Sequence, residues 1–162
     1  KKKEWELREK AQKDSLTGLL NNATIKQQIG ARLQSLKRGQ TGYLVVQDVD
    51  SFKKINDTNG QLFGDAVLCS FADELSNIFP EALKGRIGGD EFVFYVEDMD
   101  REQLEEKLKQ LNRCMSDRYD DDKTGLHISC SLGAAVTDGT VTDYNLLFQW
   151  ADAALYQVKS KG

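Results

Sequence analysis

Leu83-Lys84-Gly85-Arg86-Ile87-Gly88-Gly89-Asp90-Glu91-Phe92-Val93-Phe94-Tyr95-Val96 is the stretch on which the fold turns. Two short runs of strand-forming residues, Leu83–Ile87 and Phe92–Val96, flank the pair Gly88-Gly89. Glycine tolerates the positive φ of a tight turn, so the stretch reads as an antiparallel hairpin. Working upstream, Ala66–Phe79 carries Val67, Leu68, Phe71, Leu75 and Ile78 on one helical stripe, and Pro80 ends it. Tyr43-Leu44-Val45-Val46 is a strand by its brevity and β-propensity, and Asn22–Lys37 a helix through Ile25, Ile29, Leu33 and Leu36. Downstream, the spacing predicts a helix from Asp100 to about Met115, a strand over Leu126–Val136 and a last helix over Thr142–Lys159. Strands and helices interleave around a hairpin, which makes the class α+β with a mixed or antiparallel sheet.

The chain has 162 residues, one domain's worth, with 40% apolar and 30% charged residues and a single proline. That balance excludes low-complexity and collagen-like classes. Lys plus Arg number 22 against 26 Asp plus Glu, a net charge of −4, so a broad grip on a nucleic-acid backbone is not expected. Any phosphate must be handled locally, by a metal or a few placed cations. Cys69, Cys114 and Cys130 form no C-x-x-C pair, and neither a disulfide framework nor a zinc site is suggested. His127, the only histidine, falls in an alternating run and reads as a strand residue. No run approaches the length of a membrane span, and the domain is expected to work in the cytoplasm without membrane contact. Residues 1–13 are a charged helical lead with little to bury, read as the end of a linker or signalling helix in a longer chain.

Carboxylates concentrate at two places where a strand meets a turn. Asp48-Val49-Asp50 follows the apolar strand, and alternation puts Asp48 and Asp50 on the face of Leu44 and Val46. Gly88-Gly89-Asp90-Glu91 forms the hairpin tip, where the glycines let a ligand approach the backbone closely. Taken singly, each set could merely end a strand in water. Together they offer what Mg²⁺ uses, one or two protein carboxylates completed by substrate phosphates. Lys53, Lys54 and Asn56 follow the first acids immediately. Asp65, after Gly64, could accept both donors of a guanine edge; the plainer reading is a helix cap. Asp120-Asp121-Asp122 reads as a solvated loop. The phosphate-loop motif G-x-x-x-x-G-K-[ST] and the dinucleotide fingerprint G-x-G-x-x-G are both missing.

In this order, the motifs resemble one family, the GGDEF-domain diguanylate cyclases of bacterial signalling. They are Asp14-Ser15-Leu16-Thr17-Gly18-Leu19-Leu20-Asn21, Asp48 to Thr58, Gly64-Asp65, Arg86 to Phe92, Ser131-Leu132-Gly133-Ala134-Ala135 and Ala151 to Lys159. The resemblance covers residues 14–162, which it marks as the GGDEF domain. It implies a palm-like nucleotide cyclase fold with a central, mostly antiparallel sheet flanked by helices. It implies condensation of two GTP into cyclic di-GMP with release of pyrophosphate. Carried over position by position, Asp48 and Asp90 would bind Mg²⁺ (or Mn²⁺ in its place) by side chain and Val49 by its carbonyl. Asp90 and Glu91 would be the catalytic acids of the signature. Asn56 and Asp65 would read guanine, while Phe52, Lys53, Gly88, Gly89 and Lys159 would hold the phosphates. Since each domain holds one GTP, a second protomer would complete the site, and an upstream sensor would act through the helical lead.

This sequence also departs from the family. Where many members carry an inhibitory R-x-x-D, it reads Phe79-Pro80-Glu81-Ala82, so product inhibition through that site is not expected. Gln61 stands where His is common and Asn22 where Arg often follows Asn21, and the sequence ends before a further phosphate-binding Arg would come. The competing expectation is a GTP-binding regulatory domain that no longer cyclises.

Overall fold

The computed structural model describes residues 2–161. In chain order the elements are α1 (Lys2–Gln12), α2 (Asn22–Ser35), β1 (Gly42–Val49), α3 (Phe52–Asn59), α4 (Gln61–Ile78), β2 (Leu83–Gly88), β3 (Glu91–Glu97), α5 (Arg101–Tyr119), β4 (Cys130–Thr137) and α6 (Tyr144–Lys161). The strands form one antiparallel sheet in the order β2-β3-β1-β4. Helices cover both faces, as expected of the α+β class.

All of β1 is buried, because it is an inner strand with a helical layer on each side. Tyr43, Val45 and Val49 join the core made with Val67, Phe71 and Leu75 of α4 and Leu104, Leu111 and Met115 of α5. Leu44 and Val46 face the other way, into Ile25, Ile29 and Leu33 of α2 and Leu147, Ala151 and Leu155 of α6. Asp48 continues this second face and is thereby aimed at α6.

Helix ends follow local chemistry. Asn21 caps α2 by accepting from the Thr24 N–H at 3.0 Å. Asp100 and Gln103 form a reciprocal capping box at the start of α5. α1 buries none of its residues, in agreement with its polar sequence. Its end is tied to the domain nonetheless: the Asn21 side chain donates to the Ala11 carbonyl at 2.7 Å and the Asn21 N–H to the Gln12 carbonyl at 2.9 Å.

Four local expectations need correction. Phe52–Asn59 is a helix, unforeseen because Ile55 is its only buried residue. α4 starts at Gln61, so Asp65 lies inside it and cannot be its cap; Gly60 holds that position without a side-chain bond. The hairpin turn is Gly89-Asp90, since Gly88 still pairs with Glu91, and only Gly89 takes a positive φ, +34°. β4 starts at Cys130, and His127 is exposed outside it. The preceding segment is pinned to the end of α5, where the Asp120 carboxylate accepts from the Ile128 N–H at 2.9 Å and lies 2.8 Å from His127 Nδ1. Asp121 and Asp122 are exposed, as expected of a solvated loop.

Candidate active site

The C-terminal end of β1 collects the acids. Asp48 lies directly opposite Glu91 of β3 on one side and Ser131 of β4 on the other. Opposed residues in an antiparallel sheet point to the same face, so Glu91 and Ser131 share the α6 side with Asp48. Lys159, in the last turn of α6, places Nζ 2.6 Å from Asp48 Oδ2. Asp48 Oδ1 is buried with no hydrogen-bond partner. Asp50, just past the strand, accepts from the hydroxyls of Ser129 (2.6 Å) and Ser131 (2.5 Å), and its N–H donates to the Ser129 carbonyl. These bonds fasten the end of β1 to the start of β4.

Electrostatics reflect acids crowded at a partly dry strand end. Burial pushes the Asp48 carboxyl above its ordinary value, aided by Asp90 and Asp50 and opposed by Lys159. Glu91 is likewise raised, first by burial and then by Asp152, Asp48 and Asp90. Burial would lower the Lys159 ammonium, but its hydrogen bond and charge interaction with Asp48 outweigh that and raise it. Among the described residues, no three His, Cys, Asp or Glu side chains converge as a closed metal cage would require. The partnerless Asp48 oxygen, with the Asp90 carboxylate nearby and the Val49 carbonyl at the same strand end, fits a hard cation that takes its remaining oxygens elsewhere.

The turn that presents Asp90 is held from behind. Pairing of β2 with β3 shifts register between Arg86 and Gly88, and such a bulge re-aims the residues after it. Arg86 Nε donates to the Gly89 carbonyl at 2.8 Å. Its other end lies 3.2 Å from Asp14 Oδ1, and Asp14 also accepts from the Thr17 N–H and hydroxyl. Leu20 adds backbone bonds to the outer edge of β2, from its N–H to the Lys84 carbonyl and to its carbonyl from the Arg86 N–H. The segment after α1 is therefore bonded to the strand that carries the turn. Arg86 and Asp14 were visible in the sequence only as motif members; no local pattern announced their contact across 72 positions.

A second group forms between α3 and α4. Ser51, in the left-handed region at φ 54°, swings the chain from β1 into α3 and leaves the helix without a side-chain cap. The first-turn amides of Phe52 and Lys53 thus remain available, as helix-initial N–H groups lack intrahelical acceptors. Asn56 leans across Gly64 of α4: a Cβ there would lie 1.7 Å from Asn56 Oδ1. Asn56 Oδ1 is buried without a partner, and half-buried Asp65 is the next residue after that glycine. The structure thus joins Asp48 with Glu91 and Lys159 in one group and Asn56 with Gly64 and Asp65 in another; the start of α3 connects the two. A 550 Å³ cleft behind α3, lined by Lys54, Thr58 and His127, meets this region at Asp50, Ser51 and Ser129.

A helix-flanked antiparallel sheet with acids at adjoining strand ends agrees with the α+β, palm-like fold that the resemblance implies. The family model described as diguanylate cyclase, GGDEF domain, matches residues 11–162, and the chain belongs to that family. The chain is 31% identical over 157 residues to the probable diguanylate cyclase DgcT of Escherichia coli strain K12, covering 94% of this chain and 34% of DgcT. It is 30% identical over 157 residues to the cyclic di-GMP phosphodiesterase PdeR of the same strain, covering 96% of this chain and 24% of PdeR. The chain therefore spans about a third and a quarter of these curated relatives. The crystal structure of the coiled coil and GGDEF domain of DgcB from Caulobacter crescentus, in complex with c-di-GMP, superposes with a TM-score of 0.87 at 27% identity. That match covers 99% of this chain and 87% of DgcB's.

Proposed function

We propose that this domain is a diguanylate cyclase that joins two GTP into cyclic di-GMP, one GTP per domain, as half of a two-domain site. The observation that carries the reading is the unbroken Gly88-to-Phe92 signature on a turn that sets Asp90 and Glu91 beside Asp48. Asp48, Asp90 and the Val49 carbonyl would hold Mg²⁺, or Mn²⁺ in its place. The ion supplies Lewis-acid activation of the α-phosphate and charge neutralisation of the departing pyrophosphate. The chain's own groups do the rest. The Phe52 and Lys53 amides, Lys53, Lys159 and the exposed Gly88-Gly89 backbone grip the triphosphate. Asp65 accepts from the guanine N1–H and exocyclic amine, a pair that adenine lacks, and Asn56 completes the reading of the base. Asp90 stands where the attacking 3′-hydroxyl of the partner's GTP loses its proton, and Glu91 keeps the acid cluster in place. In-line attack needs the second nucleotide presented by a second domain, so the partner is another copy. α1, none of whose residues is buried and whose end is bonded through Asn21, is the element through which an upstream sensor would set the dimer's geometry. The proposed setting is cytoplasmic, as the resemblance to the bacterial signalling cyclases implies; separately, no helix among the described residues is long and apolar enough to cross a membrane.

Similarity to a protein named as a phosphodiesterase favours one second reading, a GTP-binding regulatory domain without turnover. Incubation with GTP and Mg²⁺ at concentrations that favour dimers separates the two. Cyclic di-GMP formation, abolished by Asp90→Ala with the melting temperature preserved, is the expected result. GTP binding without product would replace the cyclase reading with the regulatory one, and absence of GTP binding would refute both.

A further inference from the structure

The Asp48 carboxylate is walled in by its strand neighbours, with one oxygen on Lys159 and the other on nothing. The other charged groups around it, Asp50, Asp90 and Glu91, are acids. A carboxylate held away from water among like charges needs a cation, and here the chain supplies its own. Lys159 stands four residues after Leu155, whose side chain is buried in the α6–sheet core, so the stem starts from a fixed point. Its four-carbon stem still lets the ammonium move without moving the helix.

We propose that Lys159 is a place-holder cation for the metal site. In the ligand-free domain its ammonium neutralises Asp48 and keeps the carboxylate in its binding orientation, and it leaves Oδ2 when a divalent ion arrives. The inference rests on the reading of Asp48 as a metal ligand. A free divalent ion must then displace a tethered competitor whose release exposes a bare ammonium. A triphosphate offers that ammonium a new anion as it vacates Asp48, so metal and nucleotide bind together and neither binds well alone. This gives Lys159 a role before substrate is bound, in addition to its grip on phosphate.

The test uses Mn²⁺ as the probe, titrated by electron paramagnetic resonance into the nucleotide-free protein. Lys159→Met should melt below wild type in EDTA, because Asp48 is left unpaired. It should bind Mn²⁺ at least about tenfold more tightly than wild type, because a competing cation several ångströms away in a poorly solvated site is gone. Mn²⁺ should return its melting temperature to the wild-type range. Unchanged or weaker Mn²⁺ binding by folded Lys159→Met overturns the proposal and leaves the pair as a structural ion pair. If Lys159→Met is too unstable to titrate, the double variant Asp48→Asn/Lys159→Met measures the coupling by melting. Stability regained in the double variant supports the buried-charge argument, and further loss refutes it. Asp48→Asn alone tests the underlying reading: wild-type Mn²⁺ affinity there would remove Asp48 from the metal site, whatever Lys159 does.

Discussion

Gly64→Ala should separate nucleotide recognition from stability. A Cβ at Gly64 would lie 1.7 Å from Asn56 Oδ1 and 2.8 Å from Asn56 Cγ, while the next atom, Phe52 Cζ, is 3.2 Å away. The collision is thus with a short side chain rather than backbone, and Asn56 must turn away while α3 and α4 stay in place. Turning it costs about 0.5–1.5 kcal/mol of rotamer strain, and replacing Gly by Ala in a helix returns about 1 kcal/mol. The two offset each other, so unfolding free energy should change by no more than about 1 kcal/mol. With an unfolding entropy of roughly 2.1 cal/mol/K per residue, that is a shift in Tm of about 3 °C or less. Recognition has no such compensation. A lost hydrogen bond to the base and an unpaired group on it together cost about 1.5–3 kcal/mol, about 10- to 100-fold in Kd.

The assay is calorimetric titration with a non-hydrolysable GTP analogue, run beside the ATP counterpart and a thermal melt. Affinity for the guanine nucleotide should fall while the weak adenine affinity stays put, so that selectivity falls with it. Wild-type GTP affinity in a folded Gly64→Ala would refute the placement of Asn56 at the base. A drop in Tm of ten degrees or so would refute the claim that only a side chain has to move.

Three further outcomes follow from the geometry. Gln47 is fully buried in the middle of β1 with both amide atoms lacking partners, so Gln47→Met should stabilise the domain by about 1–3 kcal/mol, read as a higher denaturation midpoint in urea; a lower midpoint would mean that the amide is satisfied. Burial alone would raise the Asp14 carboxyl, but the Thr17 hydrogen bonds and Arg86 hold it below its ordinary value. Its folded pKa is thus depressed, so its contribution is complete above the unfolded value of about 3.8 and lost as pH falls through the folded one. Asp14→Asn should then lie below wild type at neutral pH and lose less on acidification below pH 4, and parallel pH–stability curves would refute the link. Phe79 is buried against Phe94 with ring centroids 4.8 Å apart, so added cyclic di-GMP should not inhibit non-competitively through the Phe79–Ala82 position; inhibition relieved by a change at Ala82 would contradict this.

Much of the core was legible because it depends on short-range periodicity. The apolar stripe of α4 and the short runs of strand-forming residues in β1 and β3 each announce an element without reference to the rest of the chain. The acids at Asp48 and Asp90–Glu91 were legible for a related reason: a carboxylate next to a buried strand is a local anomaly. α3 was not legible, because a helix with one buried residue leaves almost no stripe. His127 misled because alternation in Leu126–Cys130 matches a strand, whereas the backbone there is taken by the Asp120 carboxylate, a contact that periodicity does not encode.

Asp65 shows why the remaining chemistry needed the fold. Read locally, an acid after a glycine before an apolar run is a helix cap, and that would exhaust its charge. Once α4 starts four residues earlier, the cap position belongs to Gly60, and Asp65 is left inside the helix with no cap to make. Its neighbour Gly64 then changes meaning. Glycine at this point of a helix costs stability relative to alanine, and the compensation visible in the structure is room for Asn56 to lie across the helix beside Asp65. On the proposed cyclase reading, the Asn56 oxygen that finds no partner within the chain is the one that meets the base. The glycine, which carries no chemistry, therefore bears on the proposed base recognition more directly than the carboxylate beside it.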